Sequence, residues 1–127
     1  MQTHPEVLAA RRSQVITSDD LVKVLRMKVH AGSVTTYADV SHWAYGVRTR
    51  NHPVRALLRG AYSNGHQLLT NRVVKTNGDL AALPEGTDQQ LAQLRSEGVP
   101  VSTSGGVDFK RTTAINLGRF LYAECAA

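Results

Sequence analysis

Residues 68–74 read LLTNRVV, and the triplet Thr70-Asn71-Arg72 interrupts an otherwise apolar run. A threonine hydroxyl acts as a nucleophile only beside a positioned general base or an N-terminal amine. Asn71 cannot be that base, because its amide takes up no proton near neutrality. Hydrogen bonding remains: Thr70 and Asn71 each offer donors and acceptors, and Arg72 offers a fork of donors. Left without partners in an apolar setting, such groups cost on the order of 1–3 kcal/mol each. Two readings of Thr70 and Asn71 stand: they meet the edge of a ligand such as a nucleobase, or they meet nearby backbone. Arg72 reads as a structural tie to neighbouring carbonyls. Val73 and Val74 close the run as a strand would, so a strand is expected over residues 67–74.

Lys and Arg total 15 against 10 acidic residues, giving a net charge of +5 and a pI near 9.8. That balance fits a polyanion partner, nucleic acid first, or simply a solvated basic surface. The length of 127 residues suits one domain, and 42% hydrophobic content places the chain among globular proteins. The one cysteine, Cys125, rules out a disulfide framework or a cysteine zinc site and points to a reducing compartment. His30, His42 and His66 show no ligand spacing with one another or with Asp39, so no metal is expected, nor any cofactor. No apolar run approaches ~18 residues, and MQTHPEVLAARRSQ does not resemble a secretory signal. The expected location is cytoplasmic, in association with the nucleoid, and the expected state is a monomer.

The elements that must position the triplet follow from caps and stripes. A short helix is expected over 5–14, with Pro5 in its first turn. Thr17 and Asp20 cap a helix carrying Leu21, Val24, Leu25 and Lys28 and stopping at Gly32. Thr35 or Thr36 caps the next, with Val40, Trp43 and Ala44 inward and Gly46 at its end. After a polar turn, Asn51 caps a third helix, with Pro53 in its first turn and Val54, Leu57, Leu58 and Ala61 as its stripe. Arg55 and Arg59 share its open side. Two short helices joined by a tight turn, the second basic, fit a helix-turn-helix or a plain helical hairpin. Residues 75–79 form a turn with Asn77-Gly78 at its tip, and residues 80–86 a loop. Thr87 caps a helix with Leu91 and Leu94 inward, ending at Gly98. A last helix is expected from about Thr112 to Glu124.

In that order the parts resemble the C-terminal domain of the alkylguanine-DNA alkyltransferases, and most of all their non-enzymatic relatives, the alkyltransferase-like proteins. The matching landmarks are GSVTTY at Gly32–Tyr37, Arg55-Ala56, Asn64, Arg72-Val73-Val74, Gly78 and Glu97-Gly98. The resemblance covers about residues 21–99, leaving 1–20 and 100–127 as extensions of a single domain. It implies a mainly α fold with a short β element, winged-helix-like, built around a helix-turn-helix. It also implies that this helix pair enters the minor groove of double-stranded DNA. The tyrosine matching Tyr37 would disturb the phosphate beside the target nucleotide. The arginine matching Arg55 would fill the gap left when that nucleotide rotates out of the stack. Arg48, Arg50, Arg59 and His52 would flank the same surface, and Asn64 would be a hinge or a helix C-cap.

In the family a cysteine within Pro-Cys-His-Arg-Val accepts the alkyl group. Those positions here are Leu69, Thr70, Asn71, Arg72 and Val73. The nucleophile is absent, so no enzyme is expected. Glu97, which supports the family's histidine, has lost that partner. The expected base pocket comprises Thr70, Asn71 and Arg72 with Leu83 and Pro84 from a lid that lacks the usual tyrosine. The resemblance thus implies a protein that binds O-alkylguanine in DNA without repairing it and flags it to a repair-pathway protein. Two other readings are a DNA-binding module or regulator that has lost the pocket, and a protein-interaction module using the C-terminal extension.

Overall fold

The computed structural model describes residues 16–80, 87–102, 105–112 and 114–117. The expected helix at 5–14 and the lid residues Leu83 and Pro84 lie outside them. The described elements are α1 (Ser18–Lys28), β1 (Thr35–Thr36), α2 (Tyr37–Tyr45), α3 (Asn51–Ser63), α4 (Gln67–Thr70), β2 (Val73–Val74) and α5 (Asp88–Ser96). The expected class holds: mainly α, with a short two-stranded sheet beside a helix-turn-helix pair.

Local chemistry sets each start and stop. Thr17 and Asp20 form a reciprocal capping box, Asp20 N–H to Thr17 Oγ1 at 3.2 Å and Thr17 N–H to Asp20 Oδ2 at 2.9 Å. α1 ends at Lys28, short of Gly32, with Val29 as its extended cap. Thr36 Oγ1 accepts from Asp39 N–H at 3.2 Å to start α2, and Gly46 in the left-handed region ends it. Arg50, not Asn51, is the cap residue of α3, and no side chain caps that end. Asn51 falls one position inside because the first helical bond of α3 runs from Val54 N–H to the Arg50 carbonyl, at 3.3 Å.

The amphipathic stripes meet in one core. Val54, Leu57, Leu58 and Ala61 of α3 are buried, as are Leu21, Val24 and Leu25 of α1 and Val40, Trp43 and Ala44 of α2. Each fully buried Leu or Val contributes roughly 1.5–3 kcal/mol. α1 and α2 both pack against α3. Ser18 Oγ adds a hydrogen bond to the Leu57 carbonyl at 2.9 Å.

β1 and β2 run parallel, with Thr35 opposite Val73 and Thr36 opposite Val74. So short a sheet is not stable alone. Its other side is completed by the chain near 114, where Val34 bridges Ala114 and Thr35 Oγ1 donates to the Ile115 carbonyl at 2.7 Å. Two expectations are corrected here. Residues 67–70 are helical, and the strand shrinks to Val73–Val74, because Thr70 and Asn71 N–H groups bond back to His66 and Gln67 carbonyls. The last helix does not begin at Thr112, since Ala114 is drawn into its bridge with Val34, and residues 118–124 of its expected span lie outside the described ones. Val107 and Leu117 of the C-terminal extension are buried against the domain.

The turn after β2 needs its glycine. Gly78 has φ +95°, and a Cβ there would stand 2.8 Å from the Val107 carbonyl oxygen. Gly78→Ala should therefore lower stability by more than about 1 kcal/mol, read as a lower midpoint in urea denaturation. An unchanged midpoint would show that the turn tolerates a side chain.

Candidate nucleic-acid interface

The parallel register of β1 and β2 brings together whatever follows each strand. Tyr37 follows β1 directly, and residues 75–77 follow β2. The two segments are joined by Ala38 N–H donating to Thr76 Oγ1 at 3.3 Å. The N-terminus of α3 completes the enclosure. A cavity of about 410 Å³ results, lined by Tyr37, by Asn51, His52 and Arg55 of α3, and by residues 75–77.

Tyr37 is 7% exposed, and its hydroxyl is buried with no hydrogen-bond partner. Burial pushes the phenol above its ordinary pKa, against the opposing pull of Arg55 and Arg59. It is therefore a proton donor. Arg59 is exposed one turn beyond Arg55. Arg48 is half-exposed and tied to buried Asp39 at 2.8 Å. The exposed residue Arg50 uses its backbone N–H on Ser41 Oγ at 2.9 Å, while Ser41 in turn donates to the Val47 carbonyl. Buried Ser41 thus braces the turn between α2 and α3, and nothing in the sequence pattern marked it. Asn64 is the C-cap of α3 and exposed.

The Thr70-Asn71-Arg72 triplet lies elsewhere and is satisfied internally. Thr70 has no exposed surface, and its hydroxyl donates to the Gln67 carbonyl at 3.2 Å. Asn71 Nδ2 donates to Gln93 Oε1 at 2.9 Å. Arg72 donates to both Glu97 carboxylate oxygens, at 3.0 and 2.7 Å, and to the Val29 carbonyl at 3.2 Å. So Arg72 does tie to a neighbouring carbonyl, and it also pairs with Glu97, while Asn71 at the histidine position bonds Gln93 instead. Gln90, 1% exposed, donates to the carbonyls of Asn71 and Val73, each at 3.0 Å. Sequence reasoning placed Leu91 inward and passed over Gln90, because a glutamine on a helix reads as solvated. The nearest signal was its position four residues before buried Leu94.

No family model matches the chain, and no curated protein does. Among solved structures it is similar to S. pombe Atl1 in complex with damaged DNA containing O6-carboxymethylguanine, at 17% identity and a TM-score of 0.58. The match covers 80% of this chain and 100% of the other. The fold is shared with Atl1. At this identity the likeness to Atl1 fixes the architecture and leaves the chemistry to be argued from the residues.

The Arg72–Glu97 pair gives a pH prediction. Burial raises the Glu97 carboxyl, but hydrogen bonds and charge from Arg72, with help from Gln93 and the Gly32 backbone, hold its pKa below the ordinary 4.5. A carboxyl depressed on folding stabilises the protein above its unfolded value and loses that contribution as pH falls through the folded one. The stability difference between wild type and Glu97→Gln should therefore shrink as pH drops below 4.5. Urea denaturation across pH would show it, and a constant difference would refute it.

Proposed function

We propose that the chain is a non-catalytic DNA-binding protein. It grips the minor groove with α2 and α3, holds an alkylated guanine rotated from the stack, and flags it for repair without changing it. The observation that carries this reading is the cavity between Tyr37, the start of α3 and residues 75–77, with Arg55 and Lys75 as its cations. The shared fold with Atl1, which was crystallised on damaged DNA, supports it. Rotating a base out costs a few kcal/mol, least for a damaged or mispaired one, which supplies part of the selectivity.

In this reading Tyr37 acts on the phosphate beside the target, and Arg55 fills the vacated stack. Arg48, Arg50 and Arg59 meet phosphates, contacts that fix position without reading sequence. Asn64 sets the end of α3, and Arg72 with Glu97 supports the region behind. The protein works as a monomer on nucleoid DNA in the cytoplasm, with a repair-pathway protein as the reader of the complex. Alkyl transfer has no place in it: the Thr70 hydroxyl is enclosed, and its neighbour is an amide, not a base.

A second reading is favoured by one observation. Thr70 is enclosed and Asn71 spends its amide on Gln93, which suits a DNA-binding module with no lesion preference. Arg55→Ala separates the two. If Arg55 fills the stack, the substitution should weaken binding to a lesion-bearing duplex about tenfold and to plain duplex by less. A uniform loss on both gives the second reading, and no loss on either removes both. Fluorescence anisotropy at fixed salt is the measurement, with circular dichroism confirming the fold.

A further inference from the structure

The same capping pair occurs twice in the chain, and only one copy carries an arginine. In α1, Thr17 Oγ1 accepts from Asp20 N–H at 3.2 Å and donates to Asp20 Oδ2 at 3.0 Å. In α2, Thr36 Oγ1 accepts from Asp39 N–H at 3.2 Å and donates to Asp39 Oδ2 at 2.9 Å. Asp20 is half-buried and forms no ion pair among the described residues. Asp39 is 6% exposed, and its second oxygen, Oδ1, accepts from Arg48 Nη1 at 2.8 Å. Capping needs neither that burial nor that partner.

A carboxylate is out of place on a surface that meets phosphates, because like charges repel. A lone buried one is costlier still, since it gives up water without a partner. Arg48 answers both objections, and it does so from the turn that joins α2 to α3. Its side chain stays 51% exposed, and only Nη1 is bound among the described residues, so most of its planar fork remains for a second acceptor. Ser41 fixes the backbone on either side, through the Val47 carbonyl and the Arg50 N–H. We infer that Asp39 is a positioning residue for DNA binding, holding the Arg48 guanidinium in the turn between α2 and α3 ready for a backbone phosphate. Asp39 itself touches no DNA. A loose arginine loses rotamer freedom when it docks, whereas a held one has lost it on folding. This rests on the proposed grip of DNA by α2 and α3, but not on any lesion preference.

The test is a double-mutant cycle of Asp39→Asn and Arg48→Ala in the full chain, read by fluorescence anisotropy on plain duplex at fixed salt. Asparagine keeps an acceptor for Thr36, and Asp20→Asn is the control for the cap alone. Charge by itself predicts that removing an acid from this surface strengthens binding. The positioning role predicts the opposite: Asp39→Asn weakens binding about threefold or more. That loss disappears in the Arg48→Ala background, and Asp20→Asn leaves affinity unchanged. Tighter binding by Asp39→Asn overturns the inference, and so does an equal loss in both backgrounds, the mark of a purely structural role. Arg48→Lys tests the same point without touching Asp39. It should lose most of what Arg48→Ala loses, because a lysine has no second edge of a fork to offer. Wild-type affinity in Arg48→Lys overturns the inference, since charge alone would then suffice. Coupling on plain duplex, in a protein with no lesion preference, supports the role of Asp39 while removing the lesion reading. Absence of coupling, with Arg55→Ala still weakening binding to a lesion-bearing duplex, overturns the role of Asp39 and leaves the proposed function standing.

Discussion

The arrangement depends on the Arg72 guanidinium. It joins three parts of the chain at once: the cap of α1 through Val29, the approach to β2 through its own backbone, and the end of α5 through Glu97. Both side chains are largely enclosed, at 13% and 12% exposure, so the pair is shielded from water. Removing one partner of such a pair costs about 3–5 kcal/mol, since the other charge is left buried. Its geometry also sets the sheet. The Arg72 carbonyl accepts from Thr35 N–H at 2.9 Å, which fixes the register that sends Tyr37 and residues 75–77 to the same end. The cavity is a consequence of that register.

A division of labour follows. The triplet at 70–72 is given over to structure: Thr70, Asn71 and Arg72 each make side-chain hydrogen bonds inside the protein. Gln90 and Gln93 of α5 extend this network: Gln90 satisfies the Asn71 and Val73 carbonyls, and Gln93 that of Leu68 in α4. The residues that line the cavity are Tyr37, the start of α3 and the turn that follows β2. Their common character is donation and positive charge. That character suits binding to an anionic polymer and is unsuited to nucleophilic chemistry.

Much of this was legible in the sequence, and the reason differs by element. Thr17 with Asp20, and Gly46, mark helix ends by local chemistry, so they were read directly, while Thr36 was narrowed only to itself or Thr35. The α3 stripe was legible because an apolar face repeats over three turns. The stretch at 67–74 was misread as strand, since a four-residue helix is too short to show a period and apolar runs fit either state. Leu91 was placed inward and Gln90 overlooked because burial there follows from carbonyls contributed by a distant segment. The cavity was legible only in part. Tyr37 and Arg55 were singled out, and His52 was noted beside them. Lys75 and Thr76 went unseen, because only the parallel register of β1 and β2 brings them to Tyr37.

The central claim is that this fold recognises damaged DNA without chemistry of its own. The most direct measurement compares affinities at one salt concentration for two duplexes of identical sequence, one with a single O6-alkylguanine and one with guanine. The account predicts clearly tighter binding to the alkylated duplex, with the lesion recovered intact afterwards. Equal affinities, or alkyl groups found on the protein, would contradict it.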